Sequence, residues 1–331
     1  MDTRQLKYFV AIVECGGFAK ASRQLLIAQP ALSQQIARLE QEVGAPLLVR
    51  SAKGVSPTSN GHTLFRHAKF ILRQLDHALA LARQNTAETT GRVSVGLAPT
   101  TLCQVGMPLI ERMQERFPGV CVNIVEGLSG HIQHMAISGQ LDLAILFGPA
   151  AVPDWSRTAL LTEELFVILP CNSPLFPRRR DTITLEEIVD LPLILPSQGH
   201  GLRRRIEIEY ERLNIKLMPL AEIDSLPLLM SCLSQGMGAT IKPMAAVHVH
   251  GSAQSKTWRC LRISNASITR PNYMFSQPAD KMSDATALVR AELIQLVREL
   301  VERGRWQGVE LSDPEEPDRA TPEPPRIALP A

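Results

Sequence analysis

Amide side chains are concentrated in residues 27–38, IAQPALSQQIAR, a stretch without an acidic residue. On a helical wheel at about 100° per residue, Leu32, Ile36 and Leu39 fall on one arc, and Gln34 points almost directly away from it. Glutamine amides can hydrogen bond bidentately to adenine, and free N–H groups at a helix start can bind phosphate. A carboxylate on that face would repel phosphate. The segment is therefore suited to contact DNA bases, although a glutamine-rich face is also typical of plain solvated surface.

Three short helices are expected to hold this face in place. Apolar residues at helical spacing predict the first helix over residues 3–15, and a second begins at Phe18. Pro30 opens the third helix at a position where a missing N–H costs nothing. The tight turn between the last two is typical of a helix-turn-helix, which we place from Phe18 to Ala37. The following residues 45–61, APLLVRSAKGVSPTSNG, predict a two-stranded wing.

A heptad pattern of apolar residues follows. It extends over a helix of about 25 residues, or ~40 Å, and forms a single stripe. We interpret this stripe as a dimerisation surface that pairs with a second copy, although packing against the chain's own N-terminal domain would also cover it. The stripe consists of Leu64, Ala68, Ile71, Leu75, Ala78 and Ala82.

From residue 91 onward, strand-like and helix-like segments alternate. VSVGL, VCVNIVE and LDLAILFG predict strands, and the stretches between them carry apolar residues at helical spacing. A second round of such segments follows. We therefore expect an α/β region with a mostly parallel sheet and a cleft between two subdomains.

The predicted domain boundaries follow these changes of pattern. Residues 1–58 form the helix-turn-helix and wing, residues 59–90 the linker and dimerisation helix, and residues 91–303 the two subdomains. The subdomains comprise about 91–163 plus 268–303, and 164–267. Residues 304–331 are rich in proline and acidic residues, and we predict that they are disordered.

Composition restricts the class of protein. The 331 residues are 45% hydrophobic and 21% charged, which is typical of a soluble globular chain. The net charge is +2, yet residues 1–90 contain eleven Lys and Arg against six Asp and Glu, which indicates a polyanionic partner for that part. No signal peptide or membrane span is recognisable, so a cytoplasmic location is expected.

Catalytic and metal-binding motifs are absent from the sequence. The six cysteines are scattered without metal-ligand spacing, and no GxSxG, Walker A or HExxH motif occurs. We therefore expect no metal, no cofactor and no enzymatic activity.

The segment FAKASRQLLIAQPALSQQIARLEQEVGAPLLVR, followed by KGVSPTSNG, resembles the N-terminal signature of the LysR-type transcriptional regulators. The order of elements over residues 1–303 is similar as well. The resemblance implies an α/β protein overall: a mainly α winged helix-turn-helix, a long linker helix, and two α/β subdomains resembling a periplasmic-binding-protein fold. LKYFVAIV, IAQPALSQQIARLE, LLVR and KGVSPT are most similar to the nitrogen-assimilation branch. Two positions depart from the family pattern, since Ala28 replaces a frequent hydroxyl residue and Leu48–Val49 replaces an aromatic-bearing run.

The resemblance implies which residues contact DNA. Residues of the third helix would approach bases or backbone in the major groove, and residues of the wing would neutralise phosphates or enter the minor groove. The implied DNA-binding residues are Gln29, Pro30, Ser33, Gln34, Arg38, Arg50 and Lys53.

The resemblance also places a small-molecule effector between the subdomains. Hydroxyl groups and helix N-termini there would suit a carboxylate or another small anion. The matching residues are Thr100, Thr101, Ser129, Phe147, Ser197, His200 and Thr240. Alternatively, Thr100 and Ser129 only cap helices, and His200 lies in a surface loop. We interpret the neighbouring arginines at 203–205 as a solvated helix face.

These observations predict a LysR-type transcriptional regulator that binds promoter DNA sequence-specifically and responds to a small-molecule effector. Its expected partners are double-stranded promoter DNA, the effector, further copies of itself in a dimer or tetramer, and RNA polymerase. Nitrogen, amino-acid or organic-acid metabolism is the expected pathway. Two alternatives stay open: a thiol-based redox regulator using Cys171, Cys232 or Cys260, and a small-molecule-binding α/β protein without a DNA role.

Overall fold

The computed structural model describes residues 1–51, 54–82, 89–148, 150–177, 179–251 and 257–312. Within helix 59–82, the side chains of residues 70, 73–74 and 76–82 are outside this description. The wing residue Lys53, the side chains of Ala78 and Ala82, and the chain from residue 313 onward therefore lie outside the described residues.

Three helices and a hairpin form the N-terminal unit. They are α1 (Thr3–Cys15), α2 (Phe18–Leu25), α3 (Gln29–Val43), β1 (Leu48–Ser51) and β2 (Gly54–Pro57). Helix α1 begins at a capping box, in which the Asp2 carboxylate accepts from the Gln5 backbone N–H and the Gln5 amide oxygen accepts from the Asp2 backbone N–H. Phe9, Leu32 and Ile36 are buried in the core that the three helices share. The helical periodicity of the sequence thus produces one small packed unit.

The long helix α4 (Ser59–Ala82) packs against α1. Ala68 is fully buried in a cluster with Leu6 and Val10, because the first turns of α4 lie on α1. This corrects the prediction that Ala68 belongs to a surface for a second copy, since the chain itself covers that position. Ile71 and Leu75 are exposed, at 40% and 37% of their surface.

Strands alternate with helices after the linker. The elements of the first round and the strand that follows it are β3 (Gly91–Leu97), α5 (Pro99–Arg116), β4 (Val120–Glu126), α6 (Ser129–Ile137), β5 (Leu143–Phe147) and β6 (Ser156–Pro170). Strand β3 pairs in parallel with both β4 and β5, as the βαβ pattern predicts.

The second round begins with short elements and has a long helix near its end. They are β7 (Thr182–Ile183), α7 (Leu185–Val189), β8 (Ile194–Leu195), α8 (Gly201–Arg212), β9 (Ala221–Glu222), α9 (Leu226–Ser234), β10 (Thr240–Pro243), β11 (Trp258–Ile263), β12 (Thr269–Ser276), α10 (Asp284–Glu302) and β13 (Val309–Leu311). Two short 3-10 helices, Met244–His248 and Ala279–Lys281, follow β10 and β12.

The sheet is mixed, which corrects the expectation of a mostly parallel one. The first half of β6 pairs antiparallel with β12, and its second half pairs antiparallel with β10 and β11. Strand β12 also pairs antiparallel with β5 and thereby joins the two halves. One apolar core lies between the β3–β5 strands, α5 and α10, and another lies beneath the second half of β6, α7 and α8. The α/β region therefore has two subdomains that share β6.

The residues after α10 fold back onto β6. Strand β13 pairs antiparallel with residues 161–163, and Trp306 is 3% exposed in the core beside α10. Gly308 has a φ of 70°, and a Cβ there would approach Phe166 Cε2 to 2.7 Å, so a larger residue is excluded. These contacts correct the prediction of disorder for residues 304–312.

Candidate functional site

The predicted DNA-contacting face of α3 lies on the surface. Gln29, Pro30, Gln34 and Arg38 are exposed, and Ser33 is partly exposed, while the apolar arc of the same helix is buried. The structure therefore presents these five side chains together on one side of the N-terminal unit.

The turn before α3 is fixed by local hydrogen bonds. Leu26 adopts a left-handed conformation with a φ of 56°, and the Ser22 hydroxyl donates to the Ile27 carbonyl at 2.7 Å. Ala28 occupies the N-cap and supplies no side-chain acceptor to the first turn of α3. The departure at Ala28 thus leaves backbone N–H groups at the exposed helix start, where they can donate to phosphate.

Two contacts attach the wing to the helices. Glu40, the first acidic residue of α3, accepts from the backbone N–H of Leu47 at 2.7 Å and of Leu48 at 3.1 Å. Gly54 has a φ of 126°, and a Cβ there would lie 2.6 Å from the carbonyl oxygen of Gly16. The wing is therefore held close to both α1 and α3.

Arg50 projects from the wing toward α3. Its Nη2 donates to the Ser33 hydroxyl at 3.2 Å, and its guanidinium lies 4.5 Å from the centre of the Phe18 ring. The side chain stays exposed. Two predicted DNA contacts, one on the helix and one on the wing, are thus in direct contact with each other.

A second candidate site is a cleft between the subdomains. Its cavity volume is about 20 Å³, within about 370 Å³ of non-atom space that includes open solvent, so the cleft is nearly closed between the subdomains. The lining residues are Ala98, Pro99, Thr100, Leu128, Ser129, Phe147, His200, Leu202, Asp224, Leu226, Lys242 and Arg270. Four predicted effector-binding residues, Thr100, Ser129, Phe147 and His200, therefore meet in one place. Helices α5 and α6 have no side-chain cap at Ala98 and Leu128, so Thr100 and Ser129 are not cap residues.

Arg270 is anchored at the base of this cleft. Its Nε donates to Glu163 Oε2 at 2.7 Å, and both side chains are buried. Its Nη2 donates to the Thr100 hydroxyl at 2.8 Å, and its guanidinium stacks 3.7 Å from the centre of the Phe147 ring. Arg270 therefore has a fixed orientation and a paired charge.

Lys242 is the second cation of the cleft and is only 5% exposed. Burial, and then the like charge of Arg270, lower the pKa of Lys242 to about 7. Burial, followed by Lys242 and Arg270, lowers the pKa of His200 to about 4, so this imidazole is neutral at physiological pH. Its Nδ1 accepts from the Leu202 backbone N–H at the start of α8, so this partly exposed loop residue caps α8 and also lines the cleft.

Three predicted effector residues do not line the cleft. Thr240 is fully buried at the start of β10, and its hydroxyl donates to the Ile194 carbonyl at 2.6 Å. Thr101 is also fully buried, one position past Thr100 on α5. Ser197 does not line the cleft itself, but its hydroxyl and backbone N–H donate to Asp224, which does. These findings correct the direct-contact predictions for Thr101, Ser197 and Thr240.

Sequence reasoning missed Asp224, Lys242 and Arg270. A signal was available for the two cations, because each is the single charged residue of a strand segment, GATIKP or SITRPNYMF. Charged residues are rarely buried in strands without a partner or a function. Asp224 follows a two-residue strand and carries no such signal.

The three neighbouring arginines at 203–205 lie in different surroundings. Arg203 is buried and donates to Glu207, to the Pro196 carbonyl and to Glu222, whereas Arg204 is exposed and pairs with Glu211. The prediction of a solvated helix face is therefore wrong for Arg203, which is held inside by its partners.

Two of the cysteines, Cys103 and Cys260, lie in surroundings that disfavour the thiolate. Burial and then the neighbouring Cys171 raise the pKa of Cys260 to about 12, and burial raises the pKa of Cys103 to about 11. Because the thiolate is the reactive form, these environments disfavour oxidation at neutral pH.

Across the described ranges, no group of three or more His, Cys, Asp or Glu is placed to hold a metal ion. No helix in the described part of the chain is long and apolar enough to cross a membrane.

Known structures share the fold. Full-length OxyR from Pseudomonas aeruginosa, as a variant, superposes with a TM-score of 0.69 over 90% of this chain and 95% of its own, at 22% identity. CbnR in complex with its target DNA superposes with a TM-score of 0.66 over 90% of this chain and 99% of its own, at 19% identity. At these identities the likeness concerns the fold alone.

Sequence comparison gives a closer relationship. Residues 3–62 match the bacterial regulatory helix-turn-helix protein, lysR family, and residues 86–301 match the LysR substrate binding domain. The nitrogen assimilation regulatory protein nac of Klebsiella aerogenes is 34% identical over 90% of this chain and 95% of its own. The protein of the same name from Escherichia coli is 35% identical over 74% of this chain and 79% of its own. The chain belongs to the LysR family of transcriptional regulators, with a helix-turn-helix for DNA binding and a two-subdomain α/β effector-binding region.

Proposed function

We propose that this regulator reads promoter DNA with the exposed face of α3 and the adjoining wing. Gln34 would bond to a base edge in the major groove, and the start of α3 around Gln29 and Pro30 would approach the backbone. Ser33, Arg38 and Arg50 would contact bases or phosphates on either side. The carrying observation is that these side chains lie together on the surface while Arg50 contacts Ser33. Lys53, implied by family resemblance, belongs to the same proposal.

The cleft is proposed as the effector site. Thr100, Ser129 and Phe147 line it beside Lys242 and Arg270. Arg270 is paired with Glu163, whereas Lys242 has no direct ion pair among the described residues, and this buried cation favours a ligand with an anionic group. The proposed effector is thus a small anionic metabolite that touches both subdomains.

Ligand and DNA sites would be coupled through geometry. The two subdomains can be more open or more closed, and a ligand that binds one of these conformations more tightly increases its population. Two α4 helices from different copies would pair through the exposed Ile71 and Leu75. This pairing would set the spacing of the two helix-turn-helix units on a pseudo-palindromic site. Closure would then change oligomer geometry and the bend imposed on DNA.

The biological setting is proposed from the relatives. The two regulators from Klebsiella aerogenes and Escherichia coli are named for nitrogen assimilation. We place the present regulator in the cytoplasm, acting without catalysis on genes of nitrogen, amino-acid or organic-acid metabolism, and contacting RNA polymerase at the promoter. A dimer or a tetramer is the proposed active form.

Genomic DNA immunoprecipitation followed by sequencing tests this proposal. Enrichment should fall at promoters that share a pseudo-palindrome, and target genes should indicate the effector's pathway. Footprints on the strongest promoter are then recorded with and without metabolites of that pathway. An absence of any enriched promoter would contradict the regulatory role, and a footprint of constant length and bend with every metabolite would contradict the coupling.

A further inference from the structure

The two cations of the cleft differ in how their charges are balanced. Arg270 has a buried counter-ion in Glu163 at 2.7 Å and a hydrogen bond to Thr100 at 2.8 Å. Lys242 is just as buried, at 5% exposure, yet among the described residues it has no ion pair and no hydrogen bond. The Asp224 carboxylate attracts this ammonium without bonding to it, and a ligand oxygen in the cleft would add the direct contact that Lys242 lacks.

Other charges near Lys242 limit what the cleft can hold. Asp224 also lines the cleft, where its carboxylate is held by the backbone N–H of Ser197 at 3.0 Å and by the Ser197 hydroxyl at 2.9 Å. His200 is neutral at physiological pH because burial and the two cations lower its pKa to about 4. Once Arg270 is matched with Glu163, one cation and one partly exposed carboxylate remain at the surface of the cleft.

Much of the remaining lining is apolar. Leu128, Leu202 and Leu226 contribute side chains from three different elements, and the Phe147 ring is already stacked on Arg270. These surfaces exclude water from one side of the cleft and favour a ligand with a hydrocarbon part.

We infer that the cleft takes a small organic monoanion whose carboxylate contacts Lys242 and whose apolar part packs against Leu202 and Leu226. This inference rests on the proposed role of the cleft as the effector site. A second negative charge on the ligand would face Asp224 and be repelled, so dianions of the same length bind more weakly. A neutral analogue leaves the ammonium unmatched and also binds more weakly.

Proton uptake accompanies binding. The charged and titratable groups that face Lys242 are Arg270, paired with Glu163, together with Asp224 and His200. Burial and Arg270 lower the pKa of Lys242 to about 7, whereas a bound carboxylate raises it again. At pH 8 the free protein holds Lys242 mostly neutral and the complex holds it charged, so a proton is taken up. At pH 6 Lys242 is already protonated and little uptake occurs.

Calorimetric titration of the full-length protein with three four-carbon probes tests the inference. Butyrate is the monoanion, succinate the dianion and butyramide the neutral analogue. Butyrate should bind at least about tenfold more tightly than either of the others. Titrations at pH 8 in two buffers of different ionisation enthalpy should show uptake of most of a proton, and titrations at pH 6 should show little.

Three variants separate electrostatics from folding. Lys242→Met should weaken butyrate about tenfold or more and abolish proton uptake. Lys242→Arg should retain binding without proton uptake, because arginine is charged at every pH used. Asp224→Asn should bring succinate to within about threefold of butyrate, since the repelling charge is gone while an oxygen still faces Ser197. The thermal transition of each variant is recorded as a folding control.

The outcomes divide cleanly. Equal affinity for succinate and butyrate in the wild type, unchanged butyrate binding by Lys242→Met, or no binding of any probe overturns the monoanion inference. Footprints on promoter DNA are recorded with the same probes. If succinate alone binds and alters the footprint, the effector site stands and the monoanion inference fails. If butyrate binds with the expected pattern and the footprint never changes, the inference stands and the proposed effector role fails.

Discussion

The Ser33 hydroxyl on α3 accepts a 3.2 Å hydrogen bond from Nη2 of Arg50 on β1, so α3 and the wing share a polar contact at the surface. The centre of the Phe18 ring lies 4.5 Å from the same guanidinium, which stacks over the ring. These contacts restrict the conformations of Arg50, which would lower the entropic cost of its proposed contact with DNA.

Arg50→Met should weaken binding to specific and random DNA alike and reduce the slope of log affinity against log salt by about one, because a phosphate-neutralising charge is lost. Fluorescence anisotropy over a series of salt concentrations measures the slope. Ser33→Ala is the matched control, since it removes the hydrogen bond but keeps the cation and should preserve the slope. An unchanged slope in Arg50→Met would rule out a phosphate contact.

Gln34→Ala should cost about 1–3 kcal/mol of discrimination between the target site and random DNA, because a bidentate amide contact to a base is removed. Competition gel shifts with both DNAs give the ratio. Gln41→Ala lies on the same side of α3 but farther from its N-terminus, and we expect it to leave the ratio unchanged. Equal losses on both DNAs would make Gln34 a general backbone contact.

Leu75→Asp should dissociate the dimer without lowering the thermal transition of the monomer, because this side chain is exposed on α4. Analytical ultracentrifugation measures the mass. Ala68→Asp should instead destabilise the N-terminal unit, since it would place a carboxylate among Leu6 and Val10. A dimer mass retained by Leu75→Asp would place the interface elsewhere.

Lys242→Met should raise the free energy of unfolding at neutral pH. The pKa of Lys242 is lowered by burial from 10.5 to about 7, so between these values the unfolded chain binds a proton that the folded chain does not. The resulting penalty is fully present below pH 7 and disappears above about pH 10.5. Thermal denaturation of both proteins from pH 6.5 to 10 should show a stabilisation that shrinks as pH rises. A constant difference would mean that packing, not charge, is responsible.

Trp306→Ala should cost about 3–5 kcal/mol, because the indole is buried in the core that α10 shares with the sheet. Denaturant unfolding of the full-length chain measures the loss. Trp306→Phe should cost much less, since the indole N–H has no hydrogen-bond partner among the described residues. Similar losses in both variants would point to a polar role for the indole.

The reading face was predictable because local periodicity determines it. A helix turns by the same angle at each residue, so the apolar spacing of Leu32, Ile36 and Leu39 alone assigns Gln34 to the outside. The family signature then gave the DNA-binding role. The sequence did not show which residues of the heptad stripe are covered by the chain itself. The burial of Ala68 depends on how α4 lies against α1.

Long-range strand pairing decided the cleft. The side chain of Lys242 reaches the cleft only because β10 pairs with β6, and Arg270 meets Glu163 only because β12 pairs with the first half of the same strand. A shift of one residue in either register would exchange which side chains face inward. The sequence by itself therefore determined the class of protein and the outward face of α3 that is proposed to read DNA, because helix geometry is local. The tertiary structure decided which charges meet in the proposed effector cleft, because strands distant in sequence supply them.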